Sequence, residues 1–201
     1  QTSIDVYFPQ GRWYEYPSGQ TIPATSSLNA ASTPDGPGRT RTLTVPLSKL
    51  PLHIRGGNII PMQAASTTTA FSRWNRFQLI VAPSEDGMAT GALYWDDGLA
   101  LHSHPQGKYF LVKFTARPGV IEVDMRHYYG GSRDPLPLLD EVKVFGVENR
   151  VNFVNVRKRV GWWPRTKSLK TFSFNMNSKV LHIKQLKLDM MNAHKTKIIY
   201  G

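Results

Sequence analysis

From Phe77 to Phe145 the sequence is a succession of short apolar, aromatic and β-branched runs, each closed by turn residues. Residues 77–82, 93–95, 109–116, 120–125 and 141–145 read as strands, with turns over 84–87, 96–98, 118–119 and 130–137 between them. Several short strands with turn signals at such regular spacing predict a β-sandwich. Residues 172–174, 180–188 and 196–200 supply more strands, and 149–178 otherwise reads as strand-and-loop sequence without a clear place. No segment carries a helical stripe of useful length, although 136–142 has room for a helical turn.

The first third of the chain has a different texture. Ile4, Val6 and Phe8 share one face of a strand, Pro9-Gln10-Gly11 turns the chain, and Trp13-Tyr14-Glu15-Tyr16 restarts it before Pro17-Ser18-Gly19. Residues 24–38, rich in Ser, Thr, Pro, Ala and Gly, read as a surface excursion, and 40–45 and 52–54 resume extended structure. Gly56-Gly57 after Arg55 points to a bulge or a close backbone approach. The stretch AASTTTA over 64–70 has no periodicity and reads as a boundary. The expectation is all-β, with two consecutive antiparallel β-sandwich units over 1–64 and 65–201. Roughly four strands are too few to bury two inner faces, so the first unit is expected to be incomplete without upstream sequence.

A chain of 201 residues, 40% of them apolar, can bury a sizeable core as one large sandwich or two small ones. No apolar run reaches the roughly 20 residues that span a bilayer, and QTSIDVYF at the start lacks the basic and apolar regions of a signal peptide. The start at Gln1 reads as a processed piece or a partial reading of a longer protein. The absence of cysteine removes disulfides and thiolate chemistry from these residues. Charge is segregated: residues 1–142 hold 12 Lys and Arg against 12 Asp and Glu. Residues 143–201 hold 13 Lys and Arg against Glu148 and Asp189, and so carry the whole net charge of +11. Such a surface is solvated, or it meets an anionic glycan, another polyanion or an acidic mate. No nucleic-acid motif accompanies it, and no nucleic-acid partner is expected.

Three phrases carry a family signature: VYFPQGRWYEYPSG (6–19), LPLHIRGGNIIPMQ (50–63) and GALYWDDGLA (91–100), with weaker echoes in DEVKVFGV (140–147) and KVLHIKQLKL (179–188). Their order and content resemble the C-terminal proximal and distal β-sandwich region of glycoside hydrolase family 31 α-glucosidases. The resemblance implies a parent that hydrolyses terminal α-linked glucose with retention, and a non-catalytic role here in supporting the catalytic barrel. The partner it implies is the barrel-bearing chain or segment of the same enzyme. It also favours an extracellular or lysosomal setting, against which stands the lack of an Asn-x-Ser/Thr sequon. The alternative reading is an autonomous module that binds glycan or polyanion with its basic C-terminal half.

A retaining glycosidase needs two carboxylates about 5 Å apart, and the sequences that surround them in the family have no counterpart in this chain. Asp96-Asp97 is the adjacent acidic pair in an aromatic context. Neighbouring strand residues point to opposite faces, however, and Asp-Asp-Gly at a strand end is turn chemistry, or a cation site with Glu85 and Asp86. His102 and His104 have spacing for one side of a strand but lie between a turn and Pro105. Trp13, Tyr14 and Tyr16 would stack on sugar if exposed, and Trp162-Trp163 beside Arg157, Lys158, Arg159, Arg165 and Lys167 could form a sugar or polyanion platform. Packing against the barrel for the first cluster, and a core place for one tryptophan of the second, is the preferred reading. No catalytic, cofactor-binding or metal residue is assigned, no cofactor is expected, and the chain alone is expected to be inactive.

Overall fold

The computed structural model describes residues 2–22, 32–33, 36–48, 50–131, 136–160 and 163–201. The N-terminal strands are β1 (Ser3–Phe8), β2 (Trp13–Tyr16), β3 (Ser32–Thr33), β4 (Gly36–Pro37), β5 (Arg39–Thr44), β6 (Leu52–Arg55) and β7 (Asn58–Gln63). After a single helical turn, α1 (Thr69–Ser72), come β8 (Phe77–Ala82), β9 (Ala89–Trp95), β10 (Phe110–Arg117), β11 (Val120–His127) and β12 (Leu139–Val144). The last are β13 (Val154–Val160), β14 (Trp163–Leu169), β15 (Phe172–Asn175), β16 (Val180–Ile183) and β17 (Thr196–Tyr200). The chain is all-β.

Eleven strands form one sheet in the order β14-β13-β17-β11-β10-β9-β7-β8-β12-β16-β15, antiparallel except for β8–β12 and a single β7–β9 bridge. Period-2 patterning builds it: in β10, Phe110, Val112, Phe114 and Ala116 are buried while Lys113 and Arg117 are exposed. These side chains share one core with Leu79, Val81, Val142, Val144, Leu181 and Ile183 from the other half of the sheet. The sheet therefore folds over on itself as a sandwich, each buried aliphatic or aromatic side chain contributing about 1.5–3 kcal/mol.

The unbroken apolar run over 79–82 in β8 has a structural reason. Leu79 and Val81 face the main core, while Ile80 and Ala82 face a second core with Tyr14 and Phe145. A strand buried on both faces cannot alternate with polar residues. Above it lies the β2–β6 ribbon, whose Tyr14 is fully buried, sits 5.6 Å from the Phe145 ring and donates its hydroxyl to the Pro83 carbonyl at 2.8 Å. The β1–β5 ribbon is a separate two-stranded ladder, joined to β2–β6 where Phe8 meets Trp13 and His53 edge-on at 5.5 and 4.9 Å.

The double glycine is the joint between ribbon and sheet. Gly56 N donates to the Arg12 carbonyl at 2.7 Å, and a Cβ there would lie 2.8 Å from the Pro83 oxygen. Gly57 has φ +93° and donates to Ala82 O at 2.7 Å, so it needs both a left-handed backbone and a free amide. Replacing either with Val is expected to lower stability by about 1–3 kcal/mol or prevent soluble expression. Thermal midpoints of Gly56→Val and Gly57→Val that both match the wild type would contradict this.

One expectation changes. The helical turn expected within 136–142 is strand β12, paired to β8 and β16, while a helical turn forms instead at α1, where the Thr68 hydroxyl caps Phe71 N at 3.2 Å. Residues 149–178 supply β13, β14 and β15. The expected boundary at 64/65 falls in the connection between β7 and β8, which are laddered from Asn58↔Ala82 to Gln63↔Phe77. The excursion expected over 24–38 lies largely outside the described residues.

Candidate functional site

Asp96 and Asp97 close β9. Asp96 accepts Gly98 N at 2.9 Å and the Tyr94 hydroxyl at 3.2 Å, and Asp97 accepts Leu99 N and Ala100 N at 3.0 and 2.9 Å. Gly98 follows at φ +72°. This is an Asx-type turn in which both carboxylates are spent on backbone amides and a phenol. The Ala100 amide first, then that of Leu99, holds the Asp97 carboxyl below its ordinary value of 3.8. A depressed carboxylate stabilises the turn above that ordinary value, and its contribution is lost as pH falls through the lowered one. The amides of Leu99 and Ala100 are therefore expected to lose their carboxylate-bound chemical shifts with a midpoint below that ordinary value, and an NMR titration checks it. Asp86 is used the same way, by the Ser84 hydroxyl and by Met88 N at 3.0 Å. Among the described residues no group of three or more His, Asp and Glu converges as metal ligands.

Residues 101–107 run through successive turns, so the same-side strand geometry proposed for His102 and His104 does not arise. His104 instead joins an aromatic stack that the sequence did not reveal. Its ring lies 5.0 Å from Tyr109, which also stacks on Tyr94 at 5.1 Å and on His127 at 4.1 Å, all within 22° of parallel. Register explains it: Leu111 sits opposite both Tyr94 and His127 on one face, and Tyr109, two residues earlier, lies diagonal to both. His127 Nε2 reaches the Gly107 carbonyl at 3.0 Å and ties the loop down. Tyr109 is covered by these neighbours, while Tyr94 at the end of the stack is 44% exposed.

The N-terminal aromatics divide between two faces. Tyr14 is buried against the chain's own sheet, with Tyr16 half-buried beside it, whereas Trp13 faces the other way and donates Nε1 to the Pro9 carbonyl at 2.9 Å. Tyr14 is therefore not free for sugar or for a partner. Trp163 is 77% exposed rather than core, on a hairpin with exposed Arg157, Lys158, Arg165 and Lys167, while Trp162 and the Arg159 side chain lie outside the described residues. A cavity of about 520 Å³ opens between the ribbon and the sheet, lined by Arg12, Pro83, Glu85, Phe145, Arg150 and Tyr200. Its rim carboxylate Glu148 is ion-paired to Lys179.

Comparison with known proteins agrees with that architecture. The family model described as "Glycosyl hydrolase family 31 C-terminal domain" matches residues 1–60. The human "Probable maltase-glucoamylase 2" is 35% identical over 153 residues, covering 76% of this chain and 6% of that protein. The Rattus norvegicus "Lysosomal alpha-glucosidase" is 36% identical over 155 residues, 73% of this chain and 16% of that protein. A crystal structure of glucosidase II alpha subunit superposes over 100% of this chain and 22% of its own with TM-score 0.76 at 20% identity, which shows a shared fold. The chain thus spans a small fraction of the relatives it matches, and their catalytic part lies in another segment. From the matched N-terminal unit through the folded-over sheet, the chain belongs to the C-terminal β-sandwich region of glycoside hydrolase family 31, as a non-catalytic part of an α-glucosidase-like protein.

Proposed function

We propose that this region supports and orients a catalytic barrel that hydrolyses terminal α-linked glucose with retention of configuration, the two carboxylates being supplied by that barrel. The observation that carries the proposal is the state of the first strands. The β1–β5 ladder is a lone two-stranded ribbon, and Ile4, Leu47, Leu50 and Leu52 around the ribbons are 49%, 105%, 75% and 47% exposed. A two-stranded ribbon is marginal by itself, and bare apolar residues mark a surface that another segment covers. We infer a division of labour on either side of residue 64: the ribbons of 1–64 meet the barrel, and 65–201 braces them, with β7 laddered across the division.

The partner face differs from the one carrying Tyr14, which is already occupied; it is the opposite, Trp13 side of β2 together with β1. The test is enzymatic. The full-length parent is expected to turn over a chromogenic α-glucoside, the 201-residue chain alone is expected to show none, and deletion of residues 1–201 is expected to abolish the parent's activity together with its solubility. Turnover by the homogeneous chain that disappears in Asp97→Asn would overturn the proposal, as would full activity of the deleted parent.

A further inference from the structure

We propose that the β13–β14 hairpin and the approach to β17 form a binding site for sulfated or phosphorylated polysaccharide, independent of the barrel-supporting role. The cleft has a volume of about 330 Å³ and is lined by Arg157, Lys158, Pro164, His194, Lys195 and Lys197. That is room for a pyranose ring and one acidic ester group, and four of its six lining residues are Lys or Arg, with His194 beside them.

The register places like charges against each other. On the face of the sheet that carries Pro164, Arg157 pairs with Lys197 across β13 and β17, and on the opposite face Lys158 pairs with Arg165 across β13 and β14. Like charges directly opposite one another weaken a ladder, so such a pattern persists against stability unless an anion neutralises it. The protein does little of that neutralising itself. Glu122 lies 3.8 Å from Lys197, and among the described residues no carboxylate is paired with Arg157, Lys158, Arg165 or Lys167. Asp124 is nearby but spent, since its two oxygens take Lys195 N at 3.0 Å and Arg126 Nε at 3.3 Å. This bond pins the backbone of Lys195, a lining residue of the cleft, in a left-handed conformation, φ +47°, which few lysines adopt.

The chemistry of the ligand follows from what surrounds the charges. Protein interfaces have an apolar centre, and this cleft offers Pro164 alone. Single-stranded nucleic acid is held by successive aromatic platforms along a groove, whereas no described aromatic side chain lines this cleft, Trp163 being on the opposite face from Pro164. A compact cation cluster with neither an apolar centre nor a stacking platform suits an acidic ester on a polar carrier the size of a sugar ring, held electrostatically.

The experiment measures binding of the 201-residue chain to a sulfated dextran fragment, to unsulfated dextran of equal length, to an oligothymidylate of equal charge and to vesicles of anionic phospholipid. Sulfated dextran is expected to bind at about 0.1 M salt, with affinity falling as salt rises, and unsulfated dextran is expected not to bind. The variant R157A/K158A/K195A/K197A is expected to weaken binding about 30-fold, roughly 2 kcal/mol for four exposed charge contacts. The control variant K143A/K170A/K184A, with its charges elsewhere, is expected to lose only a few-fold. The double variant R157A/K197A is expected to lower affinity and the salt slope together while Trp163→Ala changes neither, which keeps the idea testable should the quadruple variant misfold. Equal loss in the control variant, tighter binding of oligothymidylate or vesicles, or no binding of sulfated dextran would each overturn the assignment.

Discussion

Phe145→Ala is expected to cost about 3–5 kcal/mol, the range for truncating a fully buried aromatic, and to release the β2–β6 ribbon from the sheet. Phe145 is completely buried, and its amide donates to Val81 O at 2.9 Å where β12 ends beside β8. Its ring fills the second core against Tyr14, and it packs so tightly on the ribbon's turn that a Cβ on Gly19 would lie 2.5 Å from its Cδ1. The small volume of that core is why the loss cannot relax away. Its buried members are Tyr14, Ile80, Ala82 and Phe145, so removing one ring leaves a cavity between two layers rather than a dent in one. Denaturant unfolding measures the effect, and Tyr14→Phe calibrates it. That change removes the hydroxyl bonded to Pro83 O and is expected to cost about 1 kcal/mol, with the ring still in place. A Phe145→Ala variant within about 1 kcal/mol of wild type would show that the ribbon is not held by this core.

The same layer shows where sequence reading succeeds and where it stops. The run over 77–82 was legible as a strand because five apolar residues in six between turns leave few alternatives, and 120–125 and 196–200 were legible by alternation. The strand at 13–16 was legible too, but not its orientation. Period 2 separates Trp13 from Tyr14 without saying which of them meets the sheet, and that is settled by long-range partners at 80, 82 and 145. β14 was hard to see because six of its seven residues, Trp163 to Ser168, are exposed, so it carries no buried face to imprint a pattern. Site chemistry divided likewise. Asp96-Asp97-Gly98 announced a turn through local bonds. The Tyr94–Tyr109–His127 stack needed the register of three strands, and Arg157 opposite Lys197 needed the pairing of β13 with β17, which local sequence does not encode.

In the isolated chain, amide hydrogen exchange is expected to separate β1 from β10 by several orders of magnitude. The amides of β10 lie between β9 and β11, with Val112 and Phe114 completely or almost completely buried, and exchange only when the whole sandwich opens. For a domain of ordinary stability that opening costs about 5–15 kcal/mol, whereas a fraying ribbon opens for close to none. The residues of β1 pair on one side only, with β5, and Ser3, Ile4 and Asp5 are exposed. Phe8, at the end of that strand, packs against Trp13 and His53. β2 is expected to fall between the two, since Tyr14 ties it to the sheet by 2.8 Å from hydroxyl to carbonyl and by ring contact with Phe145. The decisive comparison is with the full-length parent. If a barrel covers the ribbon, the amides of Ile4 to Tyr7 are expected to gain at least about 100-fold in protection there, because ordering a marginal two-stranded ribbon by about 3 kcal/mol slows its opening by that factor. The amides of β10 are expected to change little, their opening being set by the sandwich itself. Equal protection of β1 in the isolated chain and in the parent would mean that no segment completes the ribbon, and that Ile4, Leu47, Leu50 and Leu52 are bare in the assembled protein as well.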